Sequence, residues 1–175
     1  AFFKSQIDQR PAGRILLPAE GEGRNAVYAA KRGWDVVAFD QSEAGEKKSM
    51  KLAKAAQTSI TYRIEDAMSF NEETGFDLLF YGFFHVPPVD LQPIYDHLNS
   101  FLKPGGQVLL EGFSTKNIGR GSGGPQNKAM LFSTSRVTSL LHDLKTLEVW
   151  EEEIILNEGP FHQGNARVIR AIGVK

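Results

Sequence analysis

The first residues in the chain able to do chemistry lie in a short loop, Pro18-Ala19-Glu20-Gly21-Glu22-Gly23-Arg24-Asn25-Ala26, which follows the apolar run Ile15-Leu16-Leu17. Gly21 and Gly23 let backbone come close to a ligand and lead into a helix N-terminus. The stretch Gly21 to Ala26 fits the G-x-G-x-x-A form of a dinucleotide fingerprint. Asp40 ends the next apolar run, 17 residues after Gly23. An acid there is in place to bond two ribose hydroxyls; the alternative is that it caps the helix near Ser42. Asp66 can accept a hydrogen bond from an adenine amino group, or it is an ordinary turn aspartate. A second set lies further on. His85 and His162 can bind an acceptor or take a proton, and Arg120, among glycines, can hold an anion. For each of these three the alternative is a purely structural loop residue.

The elements that must position these residues alternate between short apolar runs and helical periods. Ile15 to Leu17, Val36 to Phe39, Ile60 to Arg63, Asp77 to Tyr81 and Val108 to Phe113 read as strands. Residues 25–32, ended by Gly33, read as a helix, as do residues 44–56, with Met50, Ala53 and Ala56 on one face and Lys47, Lys51 and Lys54 on a solvated one. Leu91, Ile94, Tyr95, Leu98, Phe101 and Leu102 mark an amphipathic helix capped by Asp90, with Pro93 in its first turn and Lys103-Pro104-Gly105-Gly106 as its stop. Residues 114–129 form a glycine-rich loop, and Val137, Leu140, Leu141 and Leu144 mark another helix. Leu147 to Leu156 and Arg167 to Val174 close the chain as two strands joined by a ten-residue loop. This alternation predicts one α/β domain over residues 1–175: a doubly wound, mostly parallel, seven-stranded sheet with a C-terminal antiparallel hairpin. The chain opens on Ala1, inside a helical pattern that includes Phe2, Phe3 and Ile7, so an N-terminal segment is expected to precede it.

In an open sheet of this kind the ligand lies beyond the carboxyl ends of the strands, where strand order reverses. That rule gathers Ala19, Glu20, Gly21, Gly23 and Asn25 with Asp40, Gln41 and Ser42, Asp66 and Ala67, and Gly82 and Phe83 as candidate cofactor contacts. His85, Arg120 and His162 fall on the same rim. Glu20 and Glu22 then narrow the cofactor. A dinucleotide would set a doubly negative pyrophosphate beside two carboxylates, whereas S-adenosylmethionine carries a sulfonium and an ammonium and no phosphate. The alternative is that both glutamates point to solvent.

Composition excludes other classes. The 175 residues hold 20 Lys and Arg against 21 Asp and Glu, a net charge of −1 that argues against a nucleic-acid surface or a polybasic membrane patch. No cysteine is present, so disulfides, thiolate zinc sites and cysteine nucleophiles are ruled out. No pair of histidines has ligand spacing, and no metal is expected. The apolar run Leu78 to Phe84 is far short of the roughly 20 residues that span a bilayer. A cytosolic domain is the default expectation; the oligomeric state is left open.

Taken together, Gly21-Glu22-Gly23-Arg24-Asn25-Ala26, Phe39-Asp40-Gln41-Ser42, Glu65-Asp66-Ala67, Phe76-Asp77-Leu78-Leu79 and Leu102-Lys103-Pro104-Gly105-Gly106 resemble the class I S-adenosylmethionine-dependent methyltransferases. Gly82 to Pro88, Gly121-Ser122-Gly123-Gly124-Pro125 and Glu158-Gly159-Pro160-Phe161-His162-Gln163-Gly164 look like the branch of tellurite-resistance and thiopurine methyltransferases. The resemblance implies a Rossmann-like methyltransferase fold, S-adenosylhomocysteine as product, and methyl transfer to a small-molecule acceptor such as a thiol or a chalcogen oxyanion. It also implies an N-terminal capping segment, of which Phe2, Phe3 and Ile7 would be the end. Two positions depart from the pattern. Leu17 stands where the family has an acid, and Ala19 where it has its first glycine. Rival readings are a small nicotinamide-dependent reductase and a non-catalytic S-adenosylmethionine-binding protein.

Overall fold

The computed structural model describes residues 1–157 and 163–175. Short helix α1 (Phe2–Asp8) precedes β1 (Arg14–Pro18), α2 (Arg24–Lys31), β2 (Asp35–Asp40), α3 (Glu43–Ala55) and β3 (Thr61–Ile64). Then come β4 (Phe76–Gly82), α4 (Pro88–Ser100), β5 (Leu102–Phe113), α5 (Thr134–Leu140), β6 (Thr146–Asn157) and β7 (Gln163–Val174). The seven strands form one sheet in the order β3-β2-β1-β4-β5-β7-β6, with β1 to β5 parallel and β7 antiparallel to both its neighbours. This is the predicted doubly wound sheet with its closing hairpin.

Burial on both faces explains why the parallel strands read as continuous apolar runs. Ile15, Leu16 and Leu17 of β1 are all fully buried. Successive side chains alternate between the two faces, so Leu16 joins one core with Val37, Leu79, Tyr81 and Leu110 under α4 and α5. Ile15 and Leu17 join the other, with Val36, Leu78, Phe80 and Leu109 under α1, α2 and α3. Phe2, Phe3 and Ile7 belong to that second core, with the Phe3 ring 4.5 Å from Phe80. The edge strand β6 is lined instead with charge: Glu148, Glu151, Glu152 and Glu153 lie along it.

Several boundaries differ from expectation, each for a local reason. Helix α4 begins at Pro88, with Pro87 as its N-cap, so Asp90 lies in its first turn and Pro93 is interior. The helix ends at Ser100, and Leu102 opens β5 rather than lining the helix face. Lys103-Pro104-Gly105-Gly106 is therefore a bulge inside β5: Phe76 pairs with Leu102 and Leu78 with Gln107, and Gly105 takes φ 78° there. On α3 the buried face is Gly45, Ser49 and Ala53, while Met50 is 42% exposed. Helix α5 stops at Leu140, before Leu144, as the chain turns to donate from Lys145 N to Val174 O at 2.8 Å and start β6. The hairpin strands reach Asn157 and resume at Gln163, taking in half of the ten residues that read as loop.

The 114–129 loop contains two 3-10 turns and is held by Asn117, whose Oδ1 accepts from Arg167 N at 2.8 Å and whose Nδ2 donates to Gly123 O at 3.2 Å.

Close approach of α2 to α3 needs one glycine in particular. Gly23 has φ 80°, and a Cβ there would lie 2.0 Å from Ser49 Oγ. Gly23→Ala is expected to destabilise the fold by about 1–3 kcal/mol, through overpacking and a left-handed backbone. Denaturant midpoints of the two proteins measure it; an unchanged midpoint would mean that the helices separate without loss.

Candidate functional site

Strand order reverses at β1, between β2 and β4, and the cleft opens there, beyond the carboxyl ends of the strands. Its volume is about 280 Å³, and its walls include Ala19, Phe39, Asp40, Gln41, Glu65, Asp66, Ala67, Phe83, Phe84, His85, Val86 and Ile94. Six predicted cofactor contacts, Ala19, Asp40, Gln41, Asp66, Ala67 and Phe83, are on these walls. Glu20, Gly21, Gly23, Asn25 and Ser42 build the turns from which Ala19 and Asp40 project.

Asp40 joins two of those turns. Its Oδ2 accepts from Gly21 N at 3.1 Å and its Oδ1 from Ser42 N at 2.9 Å. Ser42 itself caps α3 by accepting from Gly45 N at 3.1 Å. Each carboxylate oxygen of Asp40 retains acceptor capacity beyond its one backbone bond. Across the cleft Gln41 Nε2 donates to Asp66 Oδ2 at 2.5 Å, and Asp66 Oδ1 accepts from Met68 N at 2.8 Å in a turn.

Glu20 turns inward. Its Oε1 accepts from Asn25 N at 2.7 Å and Ala26 N at 2.8 Å, so a carboxylate of the chain fills the N-terminus of α2. Burial pushes its carboxyl up to about 7, against these hydrogen bonds, which favour the ionised form. Glu22 points out and pairs with Lys48 at 2.6 Å. Of the three described non-glycine residues with positive φ, Ala19 (49°) and Phe83 (52°) line the cleft, and Gln57 follows α3. Ala19 thus holds a left-handed backbone that favours glycine, and the strain is stored at the site. Leu17 is fully buried in the core, and no acid stands at its position.

On the other wall, His85 has both ring nitrogens engaged by backbone. Phe113 N donates to Nε2 at 3.0 Å, so Nε2 accepts and Nδ1 carries the proton that it donates to Met130 O at 2.9 Å. The ring stacks between Phe132 and Phe113, and burial lowers its pKa to about 4. Gly82 precedes this wall without room for a side chain: a Cβ there would meet the Phe80 ring at 2.5 Å. Arg120 pairs with Glu153 at 3.3 Å, and Glu153 pairs with Arg167 at 3.0 Å, away from the cleft walls. His162 lies outside the described residues.

Sequence reasoning missed Tyr62, whose Oη donates to Gly21 O at 2.6 Å from β3, and the apolar wall of Phe84, Val86 and Ile94. Phe84 and Val86 carried a signal, since they flank His85 in a loop already assigned to this rim. Tyr62 carried none beyond its place in a strand.

A family model described as a methyltransferase domain matches residues 15–106. The chain belongs to the methyltransferase family. No curated protein matches it. Among solved structures, TehB from Haemophilus influenzae is 14% identical with a TM-score of 0.78, over 99% of this chain and 61% of that one. The chain therefore spans about three fifths of TehB. An S-adenosylmethionine-dependent methyltransferase from Methanosarcina mazei is 19% identical with a TM-score of 0.75, over 95% and 93% of the two chains. The N-methyltransferase NodS from Bradyrhizobium japonicum WM9, in complex with S-adenosylhomocysteine, is 12% identical with a TM-score of 0.71, over 98% and 85%. Each likeness is one of fold.

The cleft's chemistry fits a methyl donor that carries positive charge and no phosphate. With Glu20 filling the N-terminus of α2, a pyrophosphate has no seat there, and a nicotinamide-dependent reductase is set aside. Carboxylates near the cleft suit a cofactor with two positive charges.

Glu20 and His85 give opposite pH dependences. Between its ordinary 4.5 and about 7, Glu20 binds more proton folded than unfolded, so its contribution to stability falls as pH rises. Between about 4 and its ordinary 6.5, His85 binds less proton folded than unfolded, so its contribution grows as pH rises. Relative to wild type, the stability of Glu20→Gln is expected to climb more steeply from pH 4.5 to 7, and that of His85→Gln to climb less from pH 4 to 6.5. Urea unfolding across this range measures both, and profiles parallel to wild type would contradict the assignments.

Proposed function

We propose that this methyltransferase moves a methyl group from S-adenosylmethionine to a small-molecule acceptor with a soft nucleophilic atom, a thiol or a chalcogen oxyanion such as tellurite. The observation that carries the reading is the pairing of Glu20, filling the N-terminus of α2, with an adenosyl wall built from Asp40, Gln41, Asp66 and Ala67. Bound, the cofactor supplies an electrophilic methyl on a sulfonium. Asp40 orients the ribose end through its remaining lone pairs, and Ala19 and Phe83, held in left-handed backbone, set the loops on either side. Phe83, Phe84, Val86 and Ile94 exclude water from the acceptor side, and alignment in a dry cleft is the main contribution asked of the protein.

His85 acts in this scheme as a positioning residue: with both nitrogens engaged, it ties the end of β4 to β5 and to the 128–130 turn. Among the described cleft residues it therefore offers no free general base on the acceptor wall, which favours an acceptor that is nucleophilic without one. Pairing of Arg120 with Glu153 weighs toward the thiol over the oxyanion, because the guanidinium already has an anion.

S-adenosylhomocysteine at about 100 times its dissociation constant is expected to stabilise the protein by roughly 2.7 kcal/mol. Asp40→Ala should weaken that binding by about tenfold or more, since hydrogen bonds to a charged acceptor are worth roughly 1.5–3 kcal/mol each. Calorimetry checks both, and absence of binding would refute the cofactor site. Transfer of labelled methyl over a panel of thiols, tellurite, selenite and small amines then reads the acceptor, with thiols expected to turn over fastest. Amines alone turning over would refute the soft-acceptor reading. Tight binding with no turnover anywhere would favour a non-catalytic binding protein.

A further inference from the structure

We propose that Tyr62 is a positioning residue for the cofactor loop, its hydroxyl fixing the carbonyl of Gly21 and thereby the course of residues 19–23 past the cleft. The inference rests on the cofactor site proposed above and adds a residue to it.

Gly21 has φ 61°, and a Cβ built there would meet nothing within 4 Å. No side chain anchors this residue, so its conformation depends on what bonds and what crowds its own peptide groups. Its N–H donates to Asp40 Oδ2 at 3.1 Å, and its carbonyl accepts from Tyr62 Oη at 2.6 Å. One bond comes from the end of β2 and the other from β3, so the loop is fixed between two strands that pair in parallel. The carbonyl is also confined from the α3 side. A Cβ on Gly45 would lie 2.7 Å from Gly21 O, so the first turn of α3 leaves room for this oxygen only because residue 45 has no side chain. Three features on three elements thus converge on one carbonyl: a glycine with no side chain to anchor it, a phenol from β3 and a bare helix turn.

The phenol is suited to stay a donor. Burial and the carboxylates of Asp40, Glu20 and Glu46 raise its pKa well above that of an ordinary tyrosine, so it keeps its proton across the working range of the protein. Its ring packs against the core under α2 and α3 and holds the hydroxyl in place. If the carbonyl swings away, the peptide between Gly21 and Glu22 turns, and the turn carrying Ala19 and Glu20 is no longer set against Asp40.

Tyr62→Phe removes the hydroxyl and keeps the ring. Loss of one neutral hydrogen bond predicts weaker S-adenosylhomocysteine binding by at least threefold and up to about tenfold. The KM for S-adenosylmethionine should rise by the same factor, with kcat at saturating cofactor unchanged, because the bond serves ground state and transition state alike. Gly45→Ala crowds the same backbone carbonyl from the helix side, so it should weaken binding as well, with an overpacking cost in the denaturation midpoint that better helix propensity offsets only in part. The double variant should lose less than the product of the two single losses, since both act on one carbonyl. Calorimetry with S-adenosylhomocysteine, unfolding of the ligand-free proteins and steady-state kinetics read these out. A loss below threefold in Tyr62→Phe overturns the inference, as does a fully multiplicative loss in the double variant. A purely structural role would shift the midpoint and leave affinity in place, which also overturns it. Wild-type protein that does not bind defeats both the functional reading and this one; wild-type binding with Tyr62→Phe unchanged defeats this one alone.

Discussion

The cofactor side of the molecule depends on one carboxylate. Asp40 sits at the end of β2 and accepts backbone N–H groups from two separate turns, Gly21 on one side and Ser42 on the other. Neither turn is held by a regular ladder of its own. The first passes through left-handed backbone at Ala19, Gly21 and Gly23, and the second leads into α3 at an exposed Ser42. Charge-assisted hydrogen bonds are stronger than neutral ones, so an anion at this point converts two soft connections into one rigid edge. The parallel pairing of β2 with β1 brings that anion to the loop: Pro18 lies opposite Phe39, one residue before each turn begins.

A second anion does complementary work. Glu20 occupies the backbone N–H groups of the α2 N-terminus that a phosphate would otherwise take. The loop thus keeps the glycine spacing of a dinucleotide site with its electrostatic purpose reversed. The spacing alone therefore does not choose between cofactors, whereas the identity of residue 20 argues against one that carries a phosphate. The acceptor side is built differently, from stacked rings around a histidine whose hydrogen bonds all go to backbone.

The mostly parallel sheet with its closing hairpin, and the rim on which the cleft opens, were legible in the sequence because they follow from long-range regularities: fully buried parallel strands read as apolar runs, and open sheets bind ligands where strand order reverses. Features set by a single local choice were not. Lys103-Pro104-Gly105-Gly106 has the composition of a helix stop, and only its pairing opposite β4 makes it a bulge in β5. Leu144 continues a helical period that Lys145 breaks by pairing with Val174. At the site, Asp40 and Asp66 could be found from position, but their partners could not. Tyr62 is an unremarkable strand tyrosine until β3 is laid beside β2, and both nitrogens of His85 find backbone from segments 28 and 45 residues away.

The glutamates along β6 have a consequence for how the molecule meets its own copies. An outermost strand twelve residues long offers a row of unpaired backbone groups, an invitation to continue the sheet into a neighbouring chain. Here Glu151, Glu152 and Glu153 are consecutive, with Glu148 a few residues before them, so both faces of the strand carry acid. Glu151, Glu152 and Glu153 are already ion-paired with Lys116, Arg120, Arg167 and Arg170, so a strand added at this edge would have to desolvate a row of long charged side chains, a cost that works against runaway sheet growth at the rim nearest the hairpin.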